Sequence, residues 1–470
     1  MTTLSPQFGT LVTQRLRWAG RFADLVLASA DELATLTDLE VGKPRYETIT
    51  AELMPLVSAC RWHRRHARRL LGGRRLGGAP WWLWGQRHRI ERAPLGRVAI
   101  IATWNYPIQL LGIQLVQAAV AGNHVTVKPS EHAPRTQGRL LELAREAGLS
   151  PEELTVTEAT RSAGEALLAE HDFDHVVFTG STAVGRAIAQ QCARTLTPST
   201  LELSGRDSAI VLEDADPALA ARCLWNAVST NAGQTCMAPR RALVLRGAYA
   251  RFCSELVPLA ASGQRRRLVL PGEATRIRAQ VRAAVAAGGR LASGIVEEES
   301  PEDPIRPVAV LDCPADAELV QGDHFGPALA VVPVETLEEA LELHRSIPQH
   351  LATSVWTGAP HRARALMPSL GSATVLVNDV LVPTAHPAAS IRGTRESGWG
   401  GSRGREGLLA MSRPVHLSRT SARLRIPPEP PSDSQLAMLE RMSGISRGSA
   451  HAPAPDPTLR KHDQLPEHTQ

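Results

Sequence analysis

Apolar positions along this 470-residue chain first follow a helical period and then an alternation of short apolar runs with helical stretches. Leu16, Phe22, Leu25 and Val26 share one face of a 3.6-residue period, which predicts helix across 11–41. Ser29-Ala30-Asp31-Glu32 reads as a capping box ahead of Leu33 and Leu36, and Gly42 with Pro44 ends the run. A further helix gathers Arg61, Arg64, Arg65, Arg68 and Arg69 on one face. No base-stacking platform or known nucleic-acid motif accompanies that stripe, so it reads as a solvated face and no nucleic-acid partner is expected. Gly72-Gly73 and Gly77-Gly78 bracket a change of structure, after which 81–84, carrying Trp81, Trp82 and Trp84, and 88–91 read as two strands of a ribbon. Its aromatic residues pack either on the chain's own core or on another subunit.

From Arg97 the pattern becomes α/β. Strands are predicted at 98–102, 125–127, 175–178 and 199–203, with helices at 108–121, 137–147 and 183–192 between them. Such alternation argues a parallel, doubly wound sheet with helices on both faces. A second alternating set runs from 210 to about 376, so a second α/β domain follows. After Leu424 the prolines at 427, 428, 430 and 431 open a polar tail with one weak amphipathic helix at 436–442, and disorder is expected beyond about 445.

Composition narrows the class. A chain that is 43% hydrophobic and 21% charged is of ordinary globular make-up. No apolar run reaches the length of a membrane span, and residues 1–20 lack the pattern of a signal peptide, so a cytoplasmic protein with no integral membrane segment is expected. Six dispersed cysteines predict free thiols, with neither a disulfide framework nor a metal site. The net charge of +5 comes from 52 basic residues, of which only Lys43, Lys128 and Lys461 are lysine. In a chain that uses arginine almost everywhere, a compact ammonium at Lys128 is informative.

Several short stretches carry candidate chemistry. Gly233-Gln234-Thr235-Cys236-Met237-Ala238-Pro239 presents one thiol in a Gly-opened segment between a helix-like and a strand-like run. A lone cysteine is more often a small buried hydrophobe than a nucleophile. Phe178-Thr179-Gly180-Ser181-Thr182-Ala183-Val184-Gly185 joins a strand to a helix, a place where Gly180 allows a tight turn and free amides with Ser181 face an anion such as a pyrophosphate. Lys128-Pro129-Ser130-Glu131 ends a strand where parallel sheets gather ligands; Lys128 and Glu131 suit a ribose, or form an ordinary surface ion pair. Glu131 would repel a 2′-phosphate, favouring NAD over NADP. Glu202, between Leu201 and Leu203, would have its pKa raised by burial, as a base acting on water requires, or is a strand-end surface group. Asn105, in Thr103-Trp104-Asn105-Tyr106-Pro107, offers an amide to an oxyanion, or merely serves a turn.

Together these stretches resemble the aldehyde dehydrogenase superfamily. The 34 residues from Glu202 to Cys236 and the 23 from Asn105 to Lys128 match its spacing. Gln114, Asn378-Asp379-Val380, Arg425-Ile426-Pro427-Pro428 and the compact N-terminus resemble its class 3, fatty-aldehyde-type branch. The resemblance implies a Rossmann-type NAD domain (1–78 and 96–203), an α/β catalytic domain (204–412), a small β oligomerisation element (79–95 and 413–424) and a tail (425–470). It implies that Cys236 attacks a small-molecule aldehyde, that Asn105 and the Cys236 amide hold the oxyanion, and that Glu202 activates water against the thioester. Lys128, Glu131, Gly180, Ser181, Gly185, Trp104, Phe325 and Asp323 would bind NAD, or NADP, and a homodimer is expected.

Several positions depart from the family pattern, and one of them, Ile391, replaces an aromatic expected near the aldehyde funnel. Asp323 stands for the usual Glu, Ser390-Ile391-Arg392-Gly393 for Pro-Phe-Gly-Gly, and Pro383 for a class 3 His. The tail also lacks the apolar anchor of membrane-bound fatty-aldehyde enzymes. Arg392 would recruit an anionic aldehyde or else point to solvent. Alternatives are a CoA-acylating enzyme, against which Glu202 argues, and a catalytically degenerate homologue acting in binding or assembly.

Overall fold

The structure, a computed structural model, describes Leu4 and residues 6–80, 83–293, 304–421 and 429–444. The chain divides into two units, one of Met1–Leu76 with His88–Leu417 and one of Gly77–Arg87 with Ser418–Gln470. All the candidate residues belong to the first. Arg425-Ile426-Pro427-Pro428, Trp81, Trp82 and the tail beyond 445 lie outside the described residues.

The N-terminal period forms two helices, Pro6–Ala28 and Ala30–Val41. The capping box expected at Ser29 does not form, because the Ser29 side chain makes no cap bond. The helices abut, so the Ser29 amide donates to Leu25 O and the Leu33 amide to Ser29 O, each at 2.9 Å, and donors that a cap would serve already have partners. Gly42 ends the second helix at φ +65°, in the left-handed region that favours glycine. The turn Thr48–Leu53 then winds as a π-helix before the α-helix Met54–Leu70. That helix buries Leu56, Val57, Cys60, His63 and Ala67 and leaves its five arginines at 61, 64, 65, 68 and 69 exposed.

The ribbon differs from expectation. Its first strand is Arg74–Leu76, paired antiparallel with Gln86–Pro94 in a three-stranded sheet that Ser412–Thr420 completes. Leu83 and Trp84 lie in a turn, where Gly78 and Gly85 have positive φ and Leu83 donates to Pro80 O. Left-handed glycines flanking a proline break the extended run that the aromatic residues suggested.

Two larger sheets carry the molecule. Across the first, the strands lie in the order Gly398–Trp399, Ser199–Glu202, His175–Thr179, Arg97–Ile101, His124–Lys128, Leu154–Val156, all parallel except Gly398–Trp399. Leu154–Val156 and the helix Arg161–Glu170 escape sequence reading because one has three residues and the other buries only Leu167, so neither shows a period. The second sheet runs Arg290–Leu291, Val308–Leu311, Ala328–Val334, Arg241–Leu245, Ser208–Val211, Ala352–Trp356, Thr374–Val377. The helix Gln109–Val120 is buried on every side, as helices inside large cores are. Its polar members are partnered: Gln114 Nε2 donates to Thr179 Oγ1 at 3.0 Å, and Gln109 Oε1 accepts from Arg403 at 2.9 Å. Among the described residues no helix is long and apolar enough to cross a membrane.

Candidate active site

A cleft of about 800 Å³ opens at the carboxyl ends of the first sheet's parallel strands. Asn105, Lys128, Glu131, Gly180, Ser181, Trp104, Glu202, Cys236, Asp323 and Phe325 all line it. Gly185 does not; a Cβ there would come within 2.4 Å of the Leu203 side chain, so this glycine lets its helix pack on the sheet.

One wall is built from strand ends. Lys128 ends a buried strand and is itself 5% exposed, and its Nζ meets Glu131 Oε2 at 2.7 Å. Burial works against the Glu131 charge, but the Lys128 hydrogen bond and ammonium outweigh it and hold the carboxyl below its ordinary range. Ser181 caps the helix Thr182–Arg194, its hydroxyl accepting from Val184 N at 3.4 Å, and the first turn faces the cleft. At Gly180 a Cβ would reach 2.4 Å from the Phe178 ring, so only glycine fits the turn. Trp104 meets Phe325 edge to face, centroids 5.7 Å apart. Beside Asp323, sequence reading missed Glu273, which is buried, accepts from Phe325 N at 2.6 Å and pairs with Arg276 at 2.7 Å. No motif marks Glu273; its role comes from folding the helix Glu273–Ala286 against 323–325.

The other wall holds the thiol. Gly233 has φ +69°, and a Cβ on it would come within 2.4 Å of Gly326 O, so the turn entering the cysteine segment requires glycine. Arg240, fully buried, donates to Gly233 O, Thr235 O and Gly326 O at 2.8, 2.9 and 3.1 Å and clamps that segment. Asn105 Nδ2 donates to Gln234 O at 3.1 Å while its Oδ1 accepts from Thr103 Oγ1 at 3.1 Å. Asn231 Nδ2 bridges Asn105 O and Gln234 O, both at 2.9 Å. The two loops are thus joined by amides, leaving Asn105 one side-chain N–H for a ligand.

Burial pushes the Cys236 thiol up to about 12, Glu202 and Asp207 push it the same way, and Arg403 and Arg240 oppose them. Burial likewise raises the Glu202 pKa, with the nearby Ser402 hydroxyl and Arg403 moderating the rise, and Glu202 Oε1 is buried without a hydrogen-bond partner among the described residues. The Glu202 carboxylate thus adds to burial in raising the cost of ionising the thiol. Arg403 is the cation common to both. It is buried, held by Gln109 Oε1 at 2.9 Å and Thr384 O at 3.0 Å, and its Nε has no hydrogen-bond partner among the described residues. The departures at 391 and 392 differ in exposure. Ile391 is buried and packs with Met237, Leu351 and Cys236, whereas Arg392 is exposed.

Fold and cleft together define a two-sheet α/β enzyme with a helix N-terminus at the carboxyl edge of its parallel sheet. The chain belongs to the aldehyde dehydrogenase family, whose profile matches residues 8–417. It is 30% identical over 427 residues to the 4,4'-diapolycopene aldehyde oxidase of Methylomonas sp, covering 89% of this chain and 79% of that protein. Against a betaine aldehyde dehydrogenase of Cereibacter sphaeroides it is 31% identical over 405 residues, covering 83% and 82%. The fold is similar to that of a Mycobacterium tuberculosis aldehyde dehydrogenase solved in complex with NAD+, with TM-score 0.80, 26% identity, and 87% and 85% of the two chains covered.

Proposed function

We propose that the protein oxidises an aldehyde to its carboxylic acid with NAD. The observation that carries this reading is the meeting of Cys236, Asn105 and Glu202 in the same cleft as the Lys128–Glu131 pair and the helix N-terminus at Ser181. The cleft fits the dinucleotide: Gly180 leaves the turn open to a close approach, the first helical turn offers amides to the pyrophosphate, and Lys128 with Glu131 offers a donor and an acceptor to a ribose. Trp104, Phe325 and Asp323, which line the same cleft, would hold the nicotinamide half. When bound, NAD supplies the hydride acceptor.

This chain's own residues do the rest. Cys236 loses its proton to water and adds to the aldehyde carbonyl, and burial, which pushes the thiol up to about 12, makes that ionisation costly. Asn105 Nδ2 and the Cys236 amide donate to the oxyanion that forms. After oxidation, Glu202 takes a proton from water as that water attacks the thioester, and the acid leaves. Retained Glu202 favours water over CoA as acyl acceptor. We also read 1–78 with 96–203 as the NAD domain, 204–412 as the catalytic domain, and the ribbon with the late strand as a homodimer element. Assaying an aldehyde panel with NAD, NADP and added CoA, in the parent and in Cys236→Ala, tests the assignment: reduction of NAD is expected without CoA and falls about 10⁴-fold or more in the variant. NADH formation that survives Cys236→Ala rejects it.

A further inference from the structure

Among the described residues both lysines of this arginine-rich chain, Lys43 and Lys128, are buried, and Lys43 does not itself line the cleft. Lys43 and Glu52 are both fully buried and form an ion pair. Burial lowers the Lys43 pKa, with Glu52 working to keep the ammonium charged. A buried pair of this kind is poor value as a stabiliser, since its desolvation cost rivals its attraction.

What the pair touches explains its position. Lys43 Nζ donates to Asn105 O at 2.8 Å and lies 4.0 Å from the centroid of the Tyr106 ring. Glu52 Oε2 accepts from Ile108 N at 3.0 Å and from Gln109 N at 2.7 Å, the entry of the buried helix. The π-helical turn Thr48–Leu53 carries Glu52. One ion pair therefore grips the 105–109 segment at its start and its end. From Asn105 O the contact continues through Asn231 Nδ2 to Gln234 O, two residues before Cys236, and Tyr106 adds a second tie through its hydroxyl to Thr235 Oγ1 at 2.8 Å.

We propose that Lys43 and Glu52 are positioning residues that hold the Asn105 amide in register with Cys236 for the oxyanion. The assignment rests on the oxyanion role given to Asn105 above. Charge suits the task because a salt-bridged ammonium holds a carbonyl more tightly than a neutral donor does, and in a dry interior neither partner has water to exchange with.

A double-mutant cycle with Asn105→Ala tests both levels, because positions that act through one another are not additive. Lys43→Gln, which keeps a donor, is expected to lower kcat by about tenfold with NAD affinity, read by nucleotide fluorescence titration, changed less than about twofold. Asn105→Ala is expected to lower kcat by about 10²-fold or more, and adding Lys43→Gln to it to cost less than about twofold further. Should Lys43→Gln not fold, Glu52→Gln gives the same reading, since it keeps an acceptor for the two amides and removes the charge. If Lys43→Gln costs its full factor again in the Asn105→Ala background, the positioning role is wrong and the oxyanion role stands. If Asn105→Ala leaves kcat unchanged, both fall together.

Discussion

The two walls of the cleft are made by different means. On the cofactor wall the polar elements proposed to meet the dinucleotide are local: Lys128 and Glu131 are three residues apart, and Gly180 and Ser181 sit between one strand and the helix after it, although Trp104, Glu273 and Phe325 join them from distant segments. On the thiol wall Asn105, Glu202, Cys236, Ile391 and Arg403 come from segments up to some 300 residues apart, joined by buried charges at Lys43, Glu52, Arg240 and Arg403. The Glu131 side chain keeps 45% of its surface, whereas Glu202 is 7% exposed. Charge near the thiol is therefore screened little, and small changes there should act strongly on chemistry while changes at the cofactor wall act on binding.

After the loss expected of Cys236→Ala, the largest effect is at Glu202. Glu202→Gln should lower steady-state turnover about 10²- to 10³-fold while a first burst of NADH persists, because only thioester hydrolysis needs the base. Its raised pKa sets the sign with pH: the carboxylate is the active form, so parent turnover should climb with pH through that raised pKa, and the climb should vanish in Glu202→Gln. Loss of the burst as well would mean that Glu202 also serves the attack step. Next in size is the cofactor wall. A charge-assisted hydrogen bond contributes about 1.5–3 kcal/mol, so Lys128→Met should weaken NAD binding about tenfold or more by calorimetry, with kcat at saturating NAD changed less. An equal loss in kcat would erase the division between the walls.

The smallest effect is electrostatic. With the thiol pushed up to about 12, alkylation of the nucleotide-free protein at Cys236 should rise about tenfold per pH unit from 7 to 10 without levelling off. Arg403 lowers the thiol pKa, so Arg403→Met should slow that alkylation by about threefold at a fixed pH. A plateau below pH 9 in the parent would show that the thiol is more acidic than its burial implies.

Legibility in the sequence followed the same division. The strand-to-helix turn at Gly180, the Lys128–Glu131 pair and the glycine-opened cysteine segment were readable because each depends on near neighbours in the chain. The first alternating strands and helices were readable because their periods are long and strongly apolar, while Leu154–Val156 and Arg161–Glu170 were too short or too exposed to show one. Scarcity of lysine drew attention to Lys128 and applied equally to Lys43, whose setting has no local signature because its partners lie at 52 and 105. Gly185 had the spacing of a phosphate loop, yet the tight approach it permits is to Leu203.

By itself, the sequence determined the α/β alternation, the family, the thiol and the carboxylate and amide candidates, because apolar period, glycine-dependent turns and motif spacing are properties of contiguous residues. Only the tertiary structure decided that Glu202 stands close enough to raise the Cys236 thiol, that Arg403 rather than exposed Arg392 is the cation beside them, and that Glu273 joins Asp323 at the cleft. Burial and the Coulomb field of distant segments set those properties, and neither is written at any one position of the chain.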